Sequence, residues 1–520
     1  MVKYLLGIDF GTGGGKAAIV DENAEVLGYG FEEYEIITEN PGWSEHNAEE
    51  YWNVACRVVK KAVAESGVNP EDIKGIALSS ALPSMVMVDK RGNPLANAYN
   101  LMDRRAKKEV QYLRDLIGDD TLSAITQNRL DDHPALVNLL WEKENRPEVF
   151  SKIHKVLTTD GFVRMKLTGT FNAHYSAAPF YGVAYDLKER KFRPDILEKI
   201  GIPESILPEL FRCEDIVGEL TPEGAAAAGL VPGIPVAAGQ VDCNAGWMGA
   251  GAIEPGDTQM NLGTCGNFGV IHNGSSFDPS MINFSYTTDS EKMYITVPTT
   301  TTGGQLIRYL RDNFYTCEKD REKETGNNSY ELIDKEAAAV PPGAEGLVVL
   351  PYLMGERTPI WDIDARGTIF GLSLNHTRGH VARAMMESVA YALYDSYSIM
   401  LKQGTTIKAP LILNEGGARS EIWRQIITDV FNIPTAMVEN RVGAPFGDAI
   451  LAGVATGVFK DYSITKKKAR YIDHLEPNPE NHALYMEYFQ LYKSLYGHVK
   501  EDFKTLAALR EKSGRMKEVQ

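Results

Sequence analysis

The chain has 520 residues, too many for one ordinary core, and its 43% hydrophobic and 24% charged content fits a soluble globular protein of two or three domains. A net charge of −16 excludes nucleic-acid binding through a basic face, and the Lys466-Lys467-Lys468 triplet reads as a solvated helix end. With no membrane-length apolar run, no signal-peptide pattern in MVKYLLGIDFGT and five scattered cysteines lacking a CxxC pair, membrane, disulfide and zinc classes are excluded and a cytoplasmic location is expected.

The first element lies in LLGIDFGTGGGKAAIVDENAEVLG, residues 5–28. An apolar strand runs from Tyr4 to Ile8 into Asp9, a glycine-rich turn follows, and AAIV, DENA and EVLG read as strand, turn and strand. Two common phosphate loops are excluded. A Walker A loop needs a hydroxyl residue after Gly-Lys, whereas Ala17 follows Gly15-Lys16 and Phe10 stands where the first glycine belongs. A dinucleotide fingerprint counted from Gly11 and Gly13 needs glycine at position 16, which is lysine, and then a helix. What remains is a hairpin in which Gly11, Gly13, Gly14 and Gly15 can take positive φ and bring backbone close to phosphate. Asp9 at the strand end is placed to hold hydrated magnesium, and Thr12, Gly13 and Lys16 to flank phosphate.

Farther along come PGWSEHNAEEYW (41–52), Ser79-Ser80-Ala81-Leu82-Pro83-Ser84, LMDRRA (101–106) and a helix over 134–141. In GIPVAAGQVDCNAGWMGAG an apolar strand delivers one carboxylate, Asp242, into a turn of small residues. A Gly/Pro-rich link, GAGAIEPGD (249–257), precedes MNLGTCGNFGV (260–270), which repeats the first hairpin with Asn261 in the place of Asp9. Two such hairpins in opposite halves point to a duplicated fold that clamps a phosphate chain. TTTTGGQLIRYLRDNF (299–314) brings a glycine pair to a helix start, a position that favours anions. Then follow PYLMGERTPIWD (351–362), RGTIFGLSLNHTRGHVARAMMESVAYAL (366–393) and NEGGARSEIWRQIITDVFNIP (414–434). The tail carries Leu484, Tyr485, Tyr488, Phe489, Tyr492, Leu495 and Tyr496 at helical spacing, the pattern of a packed helix.

These collinear segments resemble the FGGY family of carbohydrate kinases along nearly the whole chain. The resemblance implies an α/β protein of two actin-like (ribonuclease H-like) ATPase domains with a cleft between them. It implies domains at 1–250 and 251–465, with a helical tail at 466–520. It implies a kinase that uses ATP and Mg²⁺ on a small sugar, with Asp242 as general base and Leu82, Pro83, Asp103 and Arg105 on the sugar side. Gly263 and Thr264 would approach the phosphates from the second hairpin, with Gly303 and Gly304 on the nucleotide side and Gly416, Gly417 and Ala418 beneath the adenine. Sugar and ATP are the expected partners, and a homodimer is compatible with the sequence.

Four positions depart from the family pattern: Met102 replaces a tryptophan, Asn138 replaces a lysine before Trp141, and Leu82-Pro83 replaces Met-His. The segment at 41–52 resembles xylulokinase-type members, whereas Ser79-Ser80-Ala81 and Ser84 resemble gluconate kinases. D-xylulose is the expected substrate, with gluconate or another ketose or polyol open. The alternative class is an actin- or chaperone-like nucleotide switch, which has no need of LMDRRA, Asp242 and the Gly-Glu-Arg at 355–357.

Overall fold

The computed structural model describes residues 2–518 apart from 275, 327 and 440–442, without the side chains of 323, 325 and 514–518. It divides into two compact units: Met1–Pro255 with Ile271–Ile295 and Asn440–Arg470, and Gly256–Val270 with Thr296–Glu439 and Tyr471–Gln520. The sequence division at 250 and 465 is thus interrupted. Two late segments pack with the first unit, and residues 466–520 form no separate tail.

In the first unit Val26–Glu33, Gly14–Asp21 and Tyr4–Phe10 form an antiparallel meander, and Ile73–Ser80 joins Tyr4–Phe10 in parallel. Pro235–Ala237 and Gln240–Val241 both pair in parallel with Ile73–Ser80. From Tyr4 to Ile8 the first strand carries no charged residue because both of its faces are covered. Leu6, Ile8 and Phe10 share a buried cluster with Val54, Val58 and Ala62 of the helix Ala48–Ser66. The Asn47 side chain caps that helix at Glu49 N, and Gly67, at φ 65°, ends it.

The opposite face meets the helix Ala444–Ala455 backbone to backbone. A Cβ at Gly7 would lie 1.9 Å from the carbonyl oxygen of Pro445, and one at Gly447 would lie 2.0 Å from that of Ala245 in the helix Asp242–Gly249. Only glycine allows so close an approach. This helix is why the segment that ends at Arg470 belongs to the first unit.

The second unit repeats the strand succession. Gly266–His272 pairs antiparallel with Thr258–Leu262, which is followed in parallel by Leu411–Asn414 and Thr435–Val438, with Tyr471–Leu475 antiparallel at the edge. Its core includes the helix Arg378–Lys402 and the long helix Pro479–Glu518. The aromatic spacing of the tail is a buried stripe: Tyr485, Phe489, Tyr492 and Leu495 enter the core, while Leu484 stays exposed. Arg383 ties the two helices, donating to the Tyr485 hydroxyl at 2.8 Å and to Glu387 at 2.8 Å. Among the described residues no helix is long and apolar enough to cross a membrane.

Candidate active site

Three strand ends of the first unit bring Asp9, Ser79 and Gln240 side by side, since Asp9 pairs with Ser79 and Ser79 with Gln240. The carboxyl ends of parallel strands are where α/β sheets place ligands. Asp9 is buried; its Oδ2 meets Lys16 Nζ at 3.0 Å, and its Oδ1 accepts from Ser79 Oγ at 3.0 Å. Burial opposes the charge on Lys16, but Asp9 outweighs it and holds the ammonium above its ordinary pKa.

The turn between the first two strands is braced from behind. Gly11 N donates to Gly14 O at 3.1 Å, Tyr34 N donates to Gly13 O at 3.3 Å, and the Tyr34 hydroxyl donates to Gly11 O. The expectation of positive φ at Gly11, Gly13, Gly14 and Gly15 is not met; none of the four adopts it. The glycines serve close approach instead: a Cβ at Gly14 or Gly15 would come within 2.7 Å of Glu32 O or Val54 Cγ1. Gly13 differs. A Cβ there would meet no protein atom within 4 Å, so this position faces open space.

Asp242 follows the strand Gln240–Val241 and opens the helix Asp242–Gly249. It is half-buried, and its Oδ1 accepts from Cys243 N at 2.7 Å. Burial first, and the charge of Asp9 second, push its carboxyl up to about 7, against the pull of the Cys243 amide and Lys16. A carboxyl titrating near neutrality is suited to take a proton from a hydroxyl.

Asp448 was not anticipated from the sequence. It is fully buried in the helix Ala444–Ala455, 2.7 Å from Ser79 Oγ, and it accepts from Gln240 Nε2 at 2.9 Å. The available signal was its isolation: APFGDAILAGVA holds no other charged residue.

Of the residues expected to face the sugar, Leu82 and Pro83 are half-buried in a loop anchored by Ala81 N to Phe10 O (2.8 Å) and by Thr159 N to Ser84 Oγ (3.0 Å). Asp103 and Arg105 face each other. Their side chains are at most 1% exposed and pair at 2.7 Å, Arg105 also reaching Glu45 at 2.6 Å. Asp103 Oδ2 accepts from Ser44 N at 2.8 Å, and the guanidinium lies 3.8 Å from the Trp43 ring centroid, with Tyr99 and Trp141 beyond. Their polar atoms are taken up within this cluster. A sequence pattern cannot show that, because Trp43 and Trp141 come from distant segments.

The second unit contains a cavity of about 740 Å³, within the size range of small-molecule sites. Of the residues expected on the nucleotide side, Gly263, Thr264, Gly304, Gly416 and Gly417 line it. Gly303 and Ala418 do not. Gly303 packs on the second hairpin, where a Cβ would be 2.4 Å from the Cys265 carbonyl carbon, and Ala418 is buried in the core. The turn and the helix start are joined by Gly303 N to Thr264 O (3.0 Å) and Gly304 N to Gly263 O (2.6 Å). Asn328, Tyr330, Asp334 and Ser420 are also in the wall, with Ser420 Oγ donating to Asp334 at 2.8 Å. The helix Ser329–Ala338 supplies two of these residues without any sequence motif.

Tandem copies of one strand succession, each with a glycine-rich hairpin, and a nucleotide-sized cavity beside the second, define a pair of actin-like ATPase domains. Models of the FGGY family of carbohydrate kinases match the chain, the N-terminal domain at residues 4–249 and the C-terminal domain at 259–456. The chain belongs to this family and is an ATP-dependent carbohydrate kinase, which sets aside the nucleotide-switch alternative. It is 30% identical over 502 residues to a xylulose kinase of Bacillus subtilis, covering 96% of this chain and 98% of that protein. It is 28% identical over 458 residues to a gluconokinase of the same organism, 88% of each chain. The crystal structure of a xylulose kinase from Rhodospirillum rubrum superposes with a TM-score of 0.89 at 28% identity, covering 96% of this chain and 100% of that one.

Proposed function

We propose that the enzyme phosphorylates a hydroxyl of D-xylulose with ATP, and that Asp242 is the base that takes the hydroxyl proton. The observation that carries the role of Asp242 is its position: a carboxyl raised toward neutrality, at a helix start beside Asp9 and Lys16. Asp9 and Asp242 offer only carboxylate oxygens, the donor type that suits hydrated Mg²⁺, which when bound neutralises phosphate charge. Lys16 and the Gly11–Gly13 turn hold phosphate in the first unit, and the 740 Å³ cavity takes the nucleoside in the second. Relatives at 30% identity favour the pentulose. Gluconate is the second reading, favoured by Ser79-Ser80-Ala81 and Ser84 and by the gluconokinase at 28%.

The deciding measurement is ADP release from MgATP across a panel of ketoses, polyols and aldonates. D-xylulose is expected to give the largest kcat/KM; a larger value with gluconate would transfer the assignment, and a panel without stimulation would overturn both. The phosphate turn has its own test. Gly13→Ala adds a methyl where no protein atom lies within 4 Å, so the melting temperature is expected to hold. The methyl enters the space assigned to phosphate, and KM for ATP is expected to rise about tenfold, the effect of losing roughly one good contact. An unchanged KM would remove phosphate from this turn.

A further inference from the structure

We infer that Asp448 is a neutral carboxylic acid whose proton, donated to Ser79, positions Asp9 and the strand that leads into Asp242. It is a positioning residue for phosphoryl transfer, and the role rests on the site reading just given.

Ser79 Oγ stands 2.7 Å from Asp448 Oδ2 and 3.0 Å from Asp9 Oδ1. A serine hydroxyl has one proton, and an ionised carboxylate only accepts. Two ionised carboxylates would leave one of these short contacts without a hydrogen, so one of the acids supplies the second proton. The Lys16 ammonium lies on Asp9 Oδ2 at 3.0 Å, which assigns the negative charge to Asp9. Asp448 has no such neighbour in this chain of contacts: it is 0% exposed, and the groups that bond it, Ser79 and the Gln240 amide, are uncharged. Among the described residues no cation bonds Asp448, and an ionised carboxylate buried in that way is the costliest arrangement for such a group. Burial first, and the charge of Asp9 second, also push the Asp448 carboxyl well above the usual carboxylate range.

The protons then run in one direction. Asp448 Oδ2–H donates to Ser79 Oγ, Ser79 O–H donates to Asp9 Oδ1, and Lys16 fixes Asp9 Oδ2 from the other side. Gln240 Nε2 donates to the remaining oxygen of Asp448. Because Gln240 lies two residues before Asp242, one buried acid fixes the end of the strand that bears Asp9 and the end of the strand that leads into Asp242. The helix that carries Asp448 cannot shift to loosen the link, since it meets the first strand at Gly7 and the Asp242 helix at Gly447.

Asparagine reproduces this pattern: its oxygen accepts from Gln240 and its N–H donates to Ser79. Asp448→Asn is therefore expected to keep kcat within about threefold of the parent, while Asp448→Ala and Ser79→Ala each lose about 10- to 100-fold, the effect of a slightly misplaced reacting group. The infrared difference spectrum, parent minus Asp448→Asn, is expected to show the carbonyl stretch of a protonated carboxyl. A fall in Asp448→Asn as deep as that in Asp448→Ala, or a difference spectrum without that band, would overturn the inference. Should Asp448→Ala not fold, the asparagine variant and the spectrum still decide. Asp242→Asn in the same series separates the two claims: if it retains turnover the site reading fails, while the spectrum continues to report on Asp448.

Discussion

Asp242→Asn is expected to lower turnover about 10²–10⁴-fold, the range for loss of a general base. The amide keeps the shape and the contact with Cys243 N, so binding of ATP and sugar is expected to survive. The pH dependence adds a sign that mere disruption does not give. A general base accepts a proton only when ionised, so with the carboxyl held at about 7, kcat is expected to fall as pH drops through neutrality. Stability runs the other way. An ordinary aspartate loses its proton near 3.8, whereas the folded protein keeps this one to about 7. Between those values the folded state binds more protons than the unfolded state, so the contribution of Asp242 is complete at low pH and is lost as pH rises to about 7. Asparagine carries no charge at any pH. Above neutrality the variant is therefore expected to melt higher than the parent while turning over far more slowly. Near-parental turnover would place the base elsewhere, and an unchanged melting curve at pH 8 would argue that the carboxyl is not raised.

Gly447→Ala is expected to destabilise by about 3 kcal/mol, the upper end for overpacking a filled core. A Cβ at this position would lie 2.0, 2.6 and 2.9 Å from the oxygen, carbonyl carbon and Cα of Ala245. These are backbone atoms, so no side chain can rotate away, and two helices must part. One of them begins with Asp242, so kcat is expected to fall along with the melting temperature. Gly246→Ala is the control for stability: it lies in the same helix, and its added methyl meets nothing within 4 Å. Melting of Gly447→Ala at the parental temperature would show that the contact is looser than the geometry states.

What could be read from the sequence was whatever repeats locally. The hairpin of Tyr4–Phe10 and Gly14–Asp21 and its copy at Thr258–Leu262 and Gly266–His272 were legible because strand, glycine turn and strand are contiguous. Asp242 was legible as a single acid after an apolar strand, and its assignment as the base needed the family resemblance. Asp448 was hidden because its partners Ser79 and Gln240 lie 369 and 208 residues away. The aromatic enclosure of Arg105 was hidden because Trp43 and Trp141 come from segments far from it in the chain. The glycines of the first turn were read for their φ freedom, whereas Glu32 and Val54, supplied by the next strand and helix, make close approach their reason.

The helix Ala444–Ala455 also bears on how the protein is made. It covers the face of the first strand that presents Gly7, yet it leaves the ribosome about 200 residues after the rest of that sheet. At about 5–20 residues per second, that face waits roughly 10–40 s for its covering helix. During that interval the nascent N-terminal half exposes an apolar strand to solvent and to any chaperone within reach. A gene truncated after residue 255 would make the delay permanent.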